Sequence, residues 1–133
     1  MEFRKNAGFT NGKPWLKVNP NYTKINAENQ INSPHSMFNC YRNLIQLRHN
    51  FNIIVYGDYS LLLEDDKKIY MYERKLDNEV LLFAGNFSDS SLSINIDTKY
   101  IDSKILIENG GNLINSTITL NPYGCIVLYK KSI

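Results

Sequence analysis

Apolar residues follow a helical period in the first third of the chain. They recur at spacings of three and four residues, which predicts one amphipathic helix over residues 34–49. Ser33 is expected to cap this helix and Pro34 to be its first residue. Leu44 and Ile45 are expected to be its buried anchors, and Asn39 to lie on the polar side. The apolar stripe of the helix consists of Met37, Phe38, Tyr41, Leu44 and Ile45.

From residue 51 onward the pattern changes to short apolar and β-branched runs separated by turn residues, which predicts strands. Residues 80–84 are continuously apolar, as in a central strand that is buried on both faces, whereas residues 92–97 alternate. Gly110-Gly111 and Asn121-Pro122 are expected to separate strands. The predicted strands are 53–56, 59–63, 69–74, 80–84, 92–96, 105–107, 117–120 and 125–129. Short strands at this spacing predict an antiparallel β-sandwich.

Residues 6–22 have no helical or extended period. Their glycines and prolines interrupt any regular run, so the segment is predicted to be irregular. It nevertheless contains Phe9, Trp15 and Tyr22, which are costly to leave in water. Such a segment is expected to need a surface on which to lie.

Composition and charge limit the partners that the chain can have. With 43% hydrophobic residues the chain is expected to form a packed core. The net charge of +2, without a basic cluster denser than Lys130-Lys131, predicts no nucleic-acid binding. No apolar run approaches the ~20 residues that span a bilayer, so no membrane partner is predicted. Cys40 and Cys125 are predicted to be buried free thiols of a cytoplasmic protein, with a disulfide between them as the alternative.

The candidate catalytic and metal-binding residues have weak surroundings. The run Glu64-Asp65-Asp66 lacks the spacing of a calcium loop and is predicted to be a solvated hairpin turn. His35 and His49 are too far apart to share a metal ion. Nothing places a base beside Cys40, which is predicted to be a small core residue rather than a nucleophile. We therefore predict no catalytic residue, no metal site and no cofactor in this chain.

Four tyrosines near the start of the β part are alternative candidates for a sugar site. They are Tyr56, Tyr59, Tyr70 and Tyr72. Alternation along strands is expected to send about half of them into the core. The substrate-binding residues therefore stay unassigned at the level of the sequence.

Several segments together resemble one enzyme family. NAGFTNGKPWLKVNPNY at residues 6–22 resembles a segment late in the catalytic barrel of the α-amylase superfamily, in the oligo-1,6-glucosidase and trehalose-6-phosphate hydrolase branch of glycoside hydrolase family 13. SMFNCYRNLIQLR at 36–48 and IVYGDYSLLLE at 54–64 continue the likeness. Residues 69–75, 80–88 and 120–129 resemble strands of the closing β-domain of that family. As a set, these motifs are specific for the branch.

The resemblance implies a mainly β fold with a remnant of a (β/α)8 barrel. Residues 1–50 would be the end of the catalytic barrel, with the irregular segment and the last helix. Residues 51–133 would form the C-terminal antiparallel β-sandwich. The catalytic barrel of the parent enzyme would be the partner of this chain, and surface exposed by truncation is expected to favour self-association.

The resemblance also implies a function. The parent would be a retaining α-glucosidase that cleaves short oligosaccharides or a disaccharide phosphate. The family takes its nucleophile from a G-x-R-x-D motif and a stabilising Asp from an N-H-D motif, and neither occurs in these 133 residues. The chain is therefore predicted to be a catalytically inactive C-terminal piece with a structural role. The alternative is a self-standing β-sandwich module that binds carbohydrate or protein.

Overall fold

The computed structural model describes residues 5–131, which form two compact units divided between Leu47 and Arg48. The ends of the two predicted domains, residues 1–4 and 132–133, lie outside the described residues. In the first unit, single 3-10 turns at Lys5–Gly8 and Pro20–Thr23 interrupt otherwise irregular chain. Two helices follow, α1 at Ala27–Ile31 and α2 at Met37–Asn50. The irregular character predicted for residues 6–22 is confirmed.

The predicted start of α2 is wrong by three residues. Pro34 lies in a turn that the Ser36 N–H closes by donating to the Ser33 carbonyl at 3.0 Å. This is the second position of a β-turn, which proline also favours. Ser36 is the cap instead, because its Oγ accepts from the Asn39 N–H at 3.2 Å and its carbonyl accepts from the Cys40 N–H at 2.9 Å.

Asn39 is not on the polar, solvated side of α2 but is buried. Its Nδ2 donates to the carbonyl oxygens of Gln30, Ile31 and Ser33 at 3.1, 3.1 and 2.7 Å. These carbonyls lie at and just beyond the end of α1, where helix carbonyls lack partners within the helix. One amide group therefore joins the end of α1 to the first turn of α2.

The second unit is mainly antiparallel β. A short helix, α3 at Ile53–Tyr56, precedes a six-stranded sheet in the order β1-β2-β3-β6-β4, and β5 also pairs with β6. The strands are β1 Asp58–Leu62, β2 Ile69–Leu76, β3 Glu79–Asn86, β4 Leu92–Asn95, β5 Lys104–Ile114 and β6 Thr117–Lys131. β4 pairs with the first part of β6 and β3 with the second, while β5 pairs with both. The strands thus form one curled, hydrogen-bonded sheet.

Residues 53–56 are helical rather than extended, although they are β-branched and aromatic. Ile53 is fully buried against Leu81 and Val127, and the Gly57 N–H donates to the Ile53 carbonyl at 3.1 Å. A single helical turn inserts Ile53 into this cluster, and this packing outweighs the intrinsic strand preference of the sequence.

The glycine and proline pairs predicted to end strands lie inside them. Gly110 has φ +67° at a register shift between β5 and β6, so its left-handed backbone makes a bulge instead of an end. Asn121-Pro122 lies in the middle of β6, just before Tyr123 with φ 56°. Because β5 pairs with β6 on both sides of this point, one bent strand replaces the two predicted ones.

Two apolar clusters stabilise the sheet, one on each face. The larger includes Leu82, Ile118 and Leu128, all without exposed surface, and the smaller contains Ile53, Leu81 and Val127. Adjacent residues of β3 thus enter different clusters. This confirms the prediction that residues 80–84 form a strand buried on both faces.

Candidate functional site

The candidate histidines, cysteines and acidic residues do not come together in one site. Among residues 5–131, no group of three or more His, Cys, Asp or Glu side chains is placed to hold a metal ion. Within the same range no helix combines the length and apolar character needed to cross a bilayer. Cys40 and Cys125 are both thiols, but Cys40 is exposed, so its predicted place in the core is wrong. The side chain points away from the packed side of α2 because Asn39 occupies that side.

The acidic run at residues 64–66 forms the predicted turn between β1 and β2. Asp66 Oδ1 accepts hydrogen bonds from the backbone N–H groups of Lys68 and Ile69 at 2.8 and 2.9 Å. These hydrogen bonds lower the pKa of the Asp66 carboxyl, since they favour its charged form. The carboxylate therefore orders the hairpin.

A buried carboxylate that sequence reasoning missed lies on the inner face of β2. Glu73 is 4% exposed and pairs with the Lys75 ammonium at 2.8 Å. It also pairs with Lys99 and accepts a hydrogen bond from the Tyr100 hydroxyl, both from the connection between β4 and β5. A signal was available, because Glu73 follows Ile69 and Met71 at a spacing of two residues and so shares their inward face.

The partners of Glu73 determine its ionisation. Burial alone would raise the pKa of the carboxyl, but the hydrogen bonds from Lys75, Lys99 and Tyr100 lower it to about 2. Burial, together with the hydrogen bond to Glu73, raises the pKa of the Tyr100 hydroxyl. The carboxylate is therefore ionised at neutral pH and fully hydrogen-bonded. The carboxylate has no proton to donate, so this arrangement suits a structural role and not that of a general acid.

The face of β1, β2 and β3 that lies opposite to Glu73 carries a continuous set of aromatic rings, which we call the ring cluster. At its centre the rings of Tyr72 and Phe83 stack, with centroids 5.0 Å apart and planes at 17°. Tyr59 and Tyr70 approach Tyr72 at 5.3 and 5.7 Å, and Phe87 approaches Tyr70 at 6.4 Å. The hydroxyls of Tyr59 and Tyr70 are hydrogen-bonded at 2.9 Å.

The structure corrects the expectation that half of the four candidate tyrosines enter the core. Tyr56, Tyr59 and Tyr70 are exposed and Tyr72 is half-buried. Tyr70 and Tyr72 are two residues apart on β2 and must therefore share a face. Tyr59 lies on the same face, because the register of β1 and β2 sets Leu61 opposite Tyr72 and Tyr59 is two residues from Leu61 on β1.

The first unit carries an apolar groove that is lined mainly by α1 and α2, with a volume of about 690 Å³. Four members of the apolar stripe line it, namely Met37, Phe38, Tyr41 and Ile45, together with Ile25. All five are exposed, and so is Leu44. The predicted role of Leu44 and Ile45 as buried anchors is therefore wrong. A second pocket of about 580 Å³ lies along the irregular segment beside Phe9, Trp15 and Tyr22, and Trp15 is 92% exposed. Apolar surface of this extent marks an interaction face.

Comparison with known proteins places these features in a family. Residues 1–57 match the model of the α-amylase catalytic domain. The chain is 40% identical over 134 residues to the oligo-1,6-glucosidase of Bacillus cereus, a match that covers 96% of this chain and 24% of that protein. The oligo-1,6-glucosidase of Parageobacillus thermoglucosidasius is 53% identical over 87 residues, covering 65% of this chain and 16% of its own length.

Comparison with solved structures agrees with these sequence matches. The trehalose-6-phosphate hydrolase of Bacillus licheniformis superposes with a TM-score of 0.82 at 40% identity, covering 98% of this chain and 24% of that one. An isomaltulose synthase mutant from Erwinia rhapontici NX5 gives a TM-score of 0.83 at 36% identity with the same coverage. The chain thus spans at most about a quarter of the length of these relatives. These matches confirm the resemblance found in the sequence motifs: the chain belongs to the α-amylase family of glycoside hydrolases, in the branch of the oligo-1,6-glucosidases and trehalose-6-phosphate hydrolases.

Proposed function

We propose that the chain is the C-terminal, non-catalytic part of a cytoplasmic retaining α-glucosidase that acts on short α-glucosides. In this proposal residues 1–50 are the end of the catalytic (β/α)8 barrel. Residues 51–133 are the closing β-domain, in which the curled sheet takes the place of a two-layer sandwich. The role of the chain is structural: its apolar groove covers barrel surface, and its β-domain closes the enzyme.

The observation that carries the proposal is the exposed groove of α1 and α2. Its lining residues, 25–46, all lie within the stretch that matches the α-amylase catalytic domain. Each large apolar side chain left in water forfeits roughly 1.5–3 kcal/mol relative to burial. Several such side chains on one helix therefore favour a partner, and the rest of an α-amylase catalytic domain is the partner that the family match supports.

The chemistry available in the chain agrees with a non-catalytic part. Retaining hydrolysis uses a carboxylate nucleophile and a carboxylic acid about 5 Å apart. Among residues 5–131, the buried carboxylate Glu73 is already paired with two lysines and a tyrosine. The nucleophile and acid would therefore come from the remainder of the parent enzyme, together with the residues that choose between isomaltose-like and phosphorylated substrates.

The test is reconstitution from two pieces. The Bacillus cereus oligo-1,6-glucosidase, shortened by the region that this chain matches, is mixed with the chain, and glucose release from isomaltose is measured. We expect no release by either piece alone and recovery of activity on mixing. Release of glucose by the pure chain alone would contradict the proposal.

A pair of variants tests whether the groove is the surface that matters. Ile45→Asp places a charge in the groove, and burying an unpaired carboxylate against a partner is costly. We expect it to reduce the recovered activity at least tenfold, which corresponds to about 1.4 kcal/mol. Asn43→Asp makes the same change in charge at an exposed position of the same helix that does not line the groove, and should recover activity like the wild type. Equal recovery by the two variants would refute the assignment of the groove.

The substrate of the parent is decided by a separate assay. The full-length parent is offered isomaltose, sucrose and trehalose 6-phosphate, and kcat/KM is measured for each. We expect hydrolysis of at least one of these α-glucosides. Inactivity on all three would contradict the assignment to short α-glucosides.

A further inference from the structure

The ring cluster presents an exposed aromatic surface on the second unit, which we call the platform, and its outer rings are tilted by 37°, 56° and 84° against their neighbours. Tyr59 is 49% exposed, Tyr70 43% and Phe87 68%, and they surround the stacked pair of Tyr72 and Phe83. Gly85 makes the platform possible, since a Cβ at this position would lie 2.9 Å from the tip of the Phe83 ring. Without that Cβ, the Phe83 ring lies over the strand and close to Tyr70, which pairs with Gly85 in the sheet.

The edge of the platform can exchange hydrogen bonds with a neutral ligand. Tyr59 and Tyr70 share one hydrogen bond between their hydroxyls, which leaves one O–H and several lone pairs for another molecule. The charged side chain that follows on the same face of β2, Arg74, donates to the Gly57 carbonyl at 3.0 Å. The rings offer apolar faces and phenol hydroxyls, so the surface suits a ligand that has one apolar face and a rim of hydroxyls.

We propose that the ring cluster binds a pyranose ring of a short glucoside, at a site separate from catalysis. The C–H groups on one face of a pyranose carry partial positive charge and stack on the negative face of an aromatic ring. The equatorial hydroxyls then exchange hydrogen bonds with Tyr59 and Tyr70 at the rim. The choice of a glucoside as the ligand class rests on the proposed function, whereas the placement of the site rests on the geometry of the rings.

The experiment is a titration of the isolated chain with isomaltose, followed by NMR of the backbone and aromatic signals. We expect saturable shifts confined to β1, β2 and β3, with an affinity on the order of 1 mM. The double variant Tyr59→Ala/Tyr70→Ala should weaken binding at least tenfold. Tyr70→Phe keeps the ring but removes a hydroxyl, and should weaken binding severalfold. Tyr56→Ala, which removes an exposed tyrosine of α3 that lies outside the ring cluster, should bind like the wild type.

Three outcomes would overturn the proposal. One is the absence of saturable shifts with the wild type, and another is equal binding by wild type and the double variant. The third is self-association in sedimentation that the double variant abolishes, because a second copy would then be the occupant of the platform. The titration measures binding to this chain without catalysis, so its failure leaves the reconstitution test of the proposed function unaffected.

Discussion

Replacing Glu73 with glutamine is expected to lower the free energy of unfolding by about 2–4 kcal/mol at pH 7. Glutamine keeps the shape of the side chain but not its charge, and its amide group turns a donor toward groups that are themselves donors. Lys75, Lys99 and Tyr100 then lose the anion that joins them, and Tyr100 is buried. Urea denaturation followed by circular dichroism gives the difference.

The control is a second carboxylate on the same sheet. Glu79 on β3 pairs with Lys131 at 3.1 Å, and this lysine is 60% exposed. An ion pair whose lysine lies largely in water contributes about 0–1 kcal/mol, so Glu79→Gln should lower the free energy of unfolding by about that amount at most. Equal losses for Glu73→Gln and Glu79→Gln would show that the cluster around Glu73 contributes no more than an ordinary surface pair.

The effect of Glu73 depends on pH in a defined direction. Its folded pKa of about 2 lies below the ordinary value of 4.5, so the folded state favours the ionised carboxyl. The stabilisation is therefore fully present above about pH 4.5 and is lost as the pH falls toward 2. The difference in unfolding free energy between wild type and Glu73→Gln should shrink over that interval. A difference that stays constant down to pH 2 would contradict the lowered pKa.

The strand pattern in the sequence predicted much of the sheet because strands have a short, local signal. β2, β3 and β4 each lie within a few residues of their predicted positions, since alternation or continuous apolar character marks them directly. Residues 53–56 were mispredicted because their helical turn depends on Ile53 entering a cluster with Leu81 and Val127. Contacts between residues so far apart in the chain leave no local pattern.

The same limit explains the bends in the long strands. Gly110 and Asn121-Pro122 carry turn chemistry that is correct locally, since the chain does adopt left-handed backbone at Gly110 and Tyr123. Whether such a residue ends a strand or bends it depends on the neighbouring strand. Here β5 and β6 run beside each other through both positions, so the backbone pairs on either side of each bend.

Candidate sites were predictable where they lie on a single strand. The common face of Tyr70 and Tyr72 and the inward position of Glu73 both follow from a spacing of two residues. The ring cluster as a whole was not predictable. It needs the register that sets Tyr72 opposite Phe83 and the missing Cβ of Gly85, and both depend on pairing between strands.

The second large effect is expected in the first unit, where Asn39→Asp should destabilise the junction of α1 and α2 by about 2–4 kcal/mol. The new side chain has almost the same shape, but an ionised oxygen replaces the amide that donates to the carbonyls of Gln30, Ile31 and Ser33. Three acceptors then face a negative charge. The Gln30 carbonyl keeps the Ser36 hydroxyl at 2.6 Å as another donor, and the Ser33 carbonyl keeps the Ser36 N–H at 3.0 Å. Hydrogen exchange of the amides of residues 30–40 measures the loss.

Asn43→Asp is the matched control, because it adds the same charge to an exposed position of the same helix and should change local stability by less than about 0.5 kcal/mol. The loss caused by Asn39→Asp should also depend on pH. Burial beside carbonyl oxygens raises the pKa of an introduced carboxyl, and the protonated form regains one O–H donor. The destabilisation is then smallest at low pH. It grows as the pH rises through the pKa that the introduced carboxyl has in the unfolded chain. Equal exchange in the two variants at pH 7 would show that the Asn39 amide does not hold the two helices together.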